Sequence, residues 1–359
     1  MNSFIGLPVS ALPTPALVVD VEALDHNLKL LAHYFASRRA KLRPHFKSHK
    51  CVTLARRQLE NGSAAGITCA KLAEAEALVA GGVKDVLIAN QVVGASKAQR
   101  LAALNRGAVV RSAVDSAVNI AELGAAAVEA GVMIRVLIEV DIGMGRCGVP
   151  AGEPVMALAR VIQNTRGLRL DGLQAYEGHL VTLPNLEERR QKVAEAMQPL
   201  VQTRQSLQAA GLPCPIVSGG GTGTYDITGN LEVFDELQAG SYALMDNSYK
   251  TIRPEFRNAL SVLATVISAR QDYVVTDVGL KGMGNEFGLP VIAGAPEAKA
   301  RYIAEEHVPF DHYAAPVGTK LRLVPSHGCT TCNLHRRLWI ARGDKIEAVW
   351  PIEGSGCLE

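Results

Sequence analysis

From residue 16 onward, short β-branched runs alternate with stretches rich in Ala, Leu, Glu and Arg, and this alternation limits the fold more than any other feature of the sequence. Strands separated by helices do not pair as hairpins; they form βα units, with a parallel sheet covered by helices. "ALVVDV" (16–21) comes first, followed by a helical stretch near 22–37. Eight further runs follow: "KLRPHFK" (41–47), "GITCA" (66–70), "DVLIAN" (85–90), "AVVRSAV" (108–114), "IRVLIEVD" (134–141), "LRLDGLQAY" (168–176), "CPIVSGGG" (214–221) and "ELQAGSYALMD" (236–246). Helical segments such as 71–81 and 187–211 fill the gaps, and only the last gap, 222–235, is short. Eight βα units close into a TIM-type (β/α)8 barrel, with an open doubly wound sheet as the alternative.

Beyond about residue 255 the texture changes to "ALSVLATVISAR", "DYVVTDVGL", "LRLVPSHGC" and "RRLWIARGDKIEAVWPI", strand-like runs broken by Gly, Pro and Asp. The expectation is a barrel over 14–255 and a C-terminal antiparallel β domain over 256–359, with residues 1–21 as a candidate to pair with the latter. A chain of 359 residues exceeds one ordinary core but suits a barrel plus a smaller module. Hydrophobic residues at 48% and charged residues at 20% describe a packed protein and exclude extended disorder. A net charge of +2 and an aromatic content of 5% argue against a nucleic-acid partner, which needs clustered basic residues interleaved with exposed aromatics. The first residues lack a basic segment followed by an apolar one, and no apolar run approaches the ~20 residues that span a bilayer, so no membrane partner is expected. Seven scattered cysteines, an odd number, point to a reducing compartment and a cytoplasmic location.

In a βα barrel the chemistry lies at the carboxyl ends of the strands, with phosphate commonly held after strands 7 and 8. Lys47 closes the first barrel strand, "SGGGTGT" (218–224) follows the seventh, and "AGSYALMD" (239–246) belongs to the eighth. Four glycines in that loop free backbone N–H groups to point into one concavity, and Thr222 and Thr224 add hydroxyl donors. A lysine at a barrel mouth beside a phosphate cradle suggests a Schiff base with pyridoxal phosphate. Strand alternation puts Arg43 and His45 on the face of Lys47, whereas Lys50 begins the next loop and is expected to stay solvated. "GMGRCG" satisfies a dinucleotide-binding spacing through Gly143, Gly145 and Gly148, but Pro150 interrupts the helix such a turn requires. In "PSHGCTTCNLH" (325–335), alternation along a strand would aim His327 and Cys329 to one side, as half of a zinc site. The Cys329–Cys332 spacing also allows a redox pair, but that reading needs a helix N-terminus in a βαβ setting.

With these motifs in hand the chain resembles the alanine-racemase-like (fold type III) pyridoxal enzymes, specifically the D-threonine aldolase and D-serine dehydratase family. "TPALVVD", "RPHFKSHK", "EVDIGMGRCGV", "GLQAY", "GGGTGT", "ELQAGSYALMD", "VGLK" and "LRLVPSHGC" carry the resemblance nearly end to end. It implies an N-terminal barrel holding pyridoxal phosphate, a C-terminal β domain, a homodimer, and a divalent metal near the substrate hydroxyl. Carried onto matching positions, it makes Lys47 the cofactor-bonding lysine, with His45 beside it. Gly219, Gly220, Gly221 and Thr222, with Gly240, Ser241 and Tyr242, form the cofactor cradle. Arg146 and Tyr176 lie against the cofactor ring or substrate, and His327 and Cys329 hold the metal, zinc preferred by the thiolate over Mn²⁺ or Mg²⁺. Aldolases of this group usually read His-x-Asp at the metal and carry a histidine six residues after the tyrosine of "QAY"; this chain has His-x-Cys, Thr182 at that place, and His179 close by. The implied activity is lyase chemistry on a β-hydroxy-D-amino acid, first as an aldolase releasing glycine and an aldehyde. A D-serine or 3-hydroxy-D-aspartate dehydratase is the alternative, and an amino-acid racemase a more distant one.

Overall fold

The computed structural model describes residues 2–359. Eight parallel strands form one ring: Lys41–Leu42, Ile67–Cys69, Asp85–Gln91, Val109–Val114, Ile134–Asp141, Leu168–Ala175, Ile216–Gly219 and Glu236–Leu237. Lys41–Leu42 pairs with Glu236–Leu237 on one side, and isolated bridges Leu42–Ala64 and His45–Thr68 close the ring on the other. The strands read as continuous apolar runs because both faces are covered; Val86, Leu87 and Ile88 are all fully buried. Local signals end the helices between them. Ser116 accepts the Asn119 N–H to start Ala117–Ala130, and Gly131 stops it in the left-handed region at φ 66°. Asn185 likewise caps Leu186–Ala209.

The second sheet is mostly antiparallel. Ala16–Asp20 lies between Leu260–Arg270, antiparallel with Val19 opposite Leu260, and Arg337–Arg342, parallel with Val18 opposite Trp339. Leu260–Arg270 also pairs with Tyr273–Thr276 and Lys320–Val324, and Arg337–Arg342 with Lys345–Pro351. Val9, Leu12, Val18, Leu263, Trp339 and Ile346 form a core on this sheet. The chain divides into two compact units. One holds the residues up to Leu31, Ser48–Leu54 and Ser241–Gly356; the other holds Ala32–Lys47, Ala55–Gly240 and Cys357–Glu359.

Two local expectations differ from what is seen. The first barrel strand is short, and Lys47 lies in a 3₁₀ turn, Phe46–Ser48, after the strand has ended. Alternation therefore does not carry Arg43 to the face of Lys47. Arg43 instead makes a two-pronged bond to Glu236 and a third contact to Asp85, each at 2.6 Å. Arg111 continues this ionic belt across the ring, to Asp85 at 2.7 Å and Asp171 at 2.8 Å. In the other unit, Gly328–Leu334 is a helix, where strand alternation was expected.

Candidate active site

In a ring of parallel strands all carboxyl ends share one rim, and the loops there carry most of the residues singled out above. The His45 N–H donates to Ala239 O at 3.0 Å while His45 bridges to Thr68, so the segment leading to Lys47 is stitched to both neighbouring strands. The Lys47 N–H points at His45 Nδ1, 3.4 Å away, and Lys47 itself is half-buried. Lys50, expected in solvent, is only 7% exposed and donates to Gly354 O at 3.2 Å.

The glycine loop leaves no room for side chains. A Cβ on Gly219 would sit 1.8 Å from Ala175 O, and one on Gly223 1.8 Å from Val181 O. Gly220 has φ +73°, and its Cβ would meet Leu237 Cδ1 at 2.4 Å. A ring atom of Tyr176 lies 3.4 Å from where a Gly221 Cβ would stand, and the Arg146 guanidinium lies 5.7 Å from the Tyr176 ring centroid. The structure thus brings Arg146, Tyr176 and the glycine loop together, and the loop fits an anionic group gripped by backbone. Thr222 is buried in it. Thr224 is not a free donor as expected, because its hydroxyl donates to Glu177 Oε1 at 2.6 Å. Gly240 is buried just after the last barrel strand. In the other unit, Ser241 accepts the Met245 N–H at 2.7 Å, and buried Tyr242 packs its ring 6.0 Å from Phe256.

The glycines of "GMGRCG" shape a turn: Asp141 Oδ1 accepts the N–H groups of Gly143 at 3.0 Å and Gly145 at 3.1 Å. That turn presents Arg146. Exposed His179 lies against it, its Nε2 3.4 Å from where a Gly143 Cβ would stand. Buried Glu139 sits under the same loop, bonded to Gln174, which Gln238 bonds in turn at 3.1 Å.

Burial pushes the Glu139 carboxyl up to about 7, opposed by Gln174 and Arg146 and reinforced by Asp115 and Asp141. A carboxyl that holds its proton more tightly when folded weakens folding as pH rises from its unfolded value toward about 7, and the penalty is complete above that. Glu139→Gln is therefore expected to raise stability by up to roughly 3 kcal/mol at about pH 8 and to change little near pH 4. Urea denaturation at the two pH values measures the difference, and a gain independent of pH would contradict it.

In the other unit, His327 precedes the helix Gly328–Leu334 and Cys329 lies in its first turn. Asp246, 1% exposed, faces His327 Nδ1 at 2.8 Å and accepts the Gly328 N–H at 3.0 Å. A carboxylate on Nδ1 fixes the ring's orientation and leaves Nε2 as the ring nitrogen for a metal. Burial would lower the His327 pKa, but Cys329 and Asp246 overcome it and hold it up at about 10. His327 and Cys329 thus form a donor pair of the type that binds a divalent metal. Among the described residues no cluster of three or more His, Cys, Asp or Glu side chains surrounds a common point. The Cys329–Cys332 pair does sit on a helix, contrary to expectation. Cys332 is nonetheless fully buried, and burial together with Cys329 and Cys51 pushes its thiol well up, away from the reactive thiolate. Asp246, Glu177 and Glu139 were not singled out from sequence. Asp246 ends the quoted run "ELQAGSYALMD", which is the one signal that could have found it.

Residues 19–248 match the family model described as alanine racemase, N-terminal domain, and residues 259–341 match the putative serine dehydratase domain. A D-threonine aldolase of an Arthrobacter species is 40% identical over 360 residues, covering 98% of this chain and 95% of its own. The 3-hydroxy-D-aspartate aldolase of Paracoccus denitrificans (strain Pd 1222) is 37% identical, with coverage of 98% and 94%. This chain belongs to the D-threonine aldolase and D-serine dehydratase family of fold type III pyridoxal enzymes. Among solved members, the D-threonine aldolase of Filomicrobium marinum superimposes with a TM-score of 0.97 at 36% identity, covering 100% of both chains. The D-threo-3-hydroxyaspartate dehydratase of Delftia sp. HT23 gives 0.87 at 28% identity, covering 96% of this chain and 98% of its own. Two further structures are of D-threo-3-hydroxyaspartate dehydratase variants, one with a histidine and one with a cysteine numbered two residues later replaced by alanine; the cysteine variant is in a metal-free form. Both aldolases and dehydratases are lyases, and the barrel and β-sheet architecture here is that of the family.

Proposed function

We propose that this protein is a pyridoxal-phosphate-dependent, metal-assisted lyase that cleaves a β-hydroxy-D-amino acid to glycine and an aldehyde. The cofactor is held within 14–255 and the metal pair lies within 256–359. The observation that carries the reading is the glycine loop, closed to side chains and flanked by Tyr176, on the same barrel rim as Lys47. When bound, pyridoxal phosphate supplies an electron sink for the pair released at the substrate's Cα. Gly219, Gly220, Gly221 and Thr222, continued by Gly240, Ser241 and Tyr242, bind its phosphate end. Tyr176 and Arg146 orient its ring, with His45 beside Lys47. Lys47 would hold the cofactor through its amine, and the same amine would deliver the proton to Cα. His327 and Cys329 would hold the divalent metal, whose chemistry there would be to polarise the β-hydroxyl. Transfer of the hydroxyl proton to a base breaks Cα–Cβ; the β-carbon leaves as an aldehyde, and Cα takes up a proton from Lys47 to become glycine.

The second reading is a dehydratase, favoured by Cys329, because a thiolate suits zinc better than Mn²⁺ or Mg²⁺ and the D-threo-3-hydroxyaspartate dehydratase variants replace a histidine and a cysteine at the same spacing. In that route Lys47 removes the α-proton, the hydroxyl departs as water, and hydrolysis of the released enamine by one water gives a keto acid and ammonia. Purified enzyme supplied with D-threonine, D-serine and 3-hydroxy-D-aspartate is expected to release glycine with the matching aldehyde. Ammonia without glycine would replace the aldolase with the dehydratase. Cys329→Ala is expected to lose bound metal, read by elemental analysis, and to become insensitive to added chelator. Full metal content in that variant would remove Cys329 from the site. The proposal includes a homodimer, as the family resemblance implies, acting in the cytoplasm, as the odd and scattered cysteines suggest; light scattering and cell fractionation test both.

A further inference from the structure

Glu177 follows Tyr176 at the carboxyl end of the strand Leu168–Ala175 and is fully buried. Its Oε1 accepts the hydroxyls of Thr224, at 2.6 Å, and Thr228, while Oε2 has no hydrogen-bond partner. No lysine, arginine or histidine pairs with it among the described residues. The two threonines bracket the segment that leads out of the glycine loop: Thr224 ends the 3₁₀ turn Thr222–Thr224, and Thr228 ends the short helix Tyr225–Thr228. An ionised carboxylate buried without a counter-ion, and with one oxygen lacking any donor, costs far more than the neutral acid in the same place. Burial pushes the Glu177 pKa up, against the opposing pull of the two threonine hydroxyls and the backbone N–H groups of Glu177 and Gly220.

We infer that Glu177, buried without a counter-ion, is a positioning residue that acts as the neutral acid. It braces the glycine loop through Thr224 and Thr228, so that Thr222 and the loop N–H groups not turned toward Glu177 face the cofactor's phosphate with no second negative charge behind it. The inference rests on the phosphate-loop reading above. A neutral acid is needed for two reasons. Its acceptor oxygen fixes two hydroxyls that would otherwise be free to turn, and its lack of charge avoids repelling a dianion through a medium of low dielectric.

The test uses the full-length protein stripped of cofactor and titrated with pyridoxal phosphate and with pyridoxal, which lacks the phosphate. The ratio of the two dissociation constants isolates the phosphate's contribution. Glu177→Gln keeps the acceptor and the neutrality, so its ratio is expected to stay within about twofold of wild type. Glu177→Leu removes the brace and is expected to cut the ratio at least ~10-fold while pyridoxal itself binds unchanged. Infrared spectra of wild type are expected to show a carboxylic-acid carbonyl band that Glu177→Gln lacks, at both neutral and mildly alkaline pH. That arm holds even if the leucine variant does not fold. Loss of phosphate binding in Glu177→Gln, or absence of the acid band, overturns the inference. Equal affinity of wild type for the two ligands would instead sink the phosphate-loop reading, and the brace with it, while the infrared band still decides the protonation state.

Discussion

Lys47→Ala is expected to lower kcat at least ~10³-fold on every substrate, because one amine both anchors the cofactor and moves the proton at Cα. The same variant should lack the visible absorption of lysine-bound pyridoxal phosphate, although the glycine loop would still bind the free cofactor. Lys50→Ala is the informative control. Lys50 is buried, holds φ 55° and donates to Gly354 O, so its loss should lower the melting temperature and leave the absorption in place. If the band instead survives in Lys47→Ala and vanishes in Lys50→Ala, the two lysines have been assigned the wrong way round.

The second large effect is on stability. Arg43 is 1% exposed and holds Glu236, 6% exposed, by two bonds and Asp85 by a third. Burial works against its charge, but Glu236 and Asp85 hold the guanidinium pKa above its ordinary value. Arg43→Met would leave the Glu236 carboxylate buried and unpaired, which is expected to cost about 3–5 kcal/mol, whereas Arg43→Met with Glu236→Leu should recover most of it. Chemical denaturation of the single and double variants measures both. A single-variant loss below about 1 kcal/mol would show that water reaches Glu236 and that the belt is not a dry ion pair. Gly66 belongs to this feature, since a Cβ there would stand 2.2 Å from an Arg43 nitrogen.

The barrel was legible because parallel strands covered on both faces must be apolar throughout, and runs such as "DVLIAN" and "IRVLIEVD" have no other good use. The glycine loop was legible for a similar reason: Gly219 and Gly223 are places where only a hydrogen fits, and such positions stand out as glycine in any sequence. What alternation could not supply was the end of the first strand. Once the chain turns into Phe46–Ser48, a period of two no longer applies, and Arg43 and Lys47 go to separate tasks. His327 and Cys329 came together for a different reason from the one expected, a helix start in place of a strand. Glu177, Glu139 and Asp246 stayed hidden because their significance lies in partners 35 to 81 residues away, which no local pattern records.

The strand Ala16–Asp20 finds its antiparallel neighbour only at Leu260–Arg270, with Val19 opposite Leu260. On the ribosome, at ~5–20 residues per second, the leading segment must therefore wait on the order of 10–50 s before its partner has been synthesised. Through that interval an apolar strand with open edges is exposed while the barrel segments emerge, the situation in which nascent chains aggregate or engage chaperones. Slow translation between these two stretches would lengthen the hazard, and moving residues 1–21 to the far end of the gene by circular permutation would shorten it.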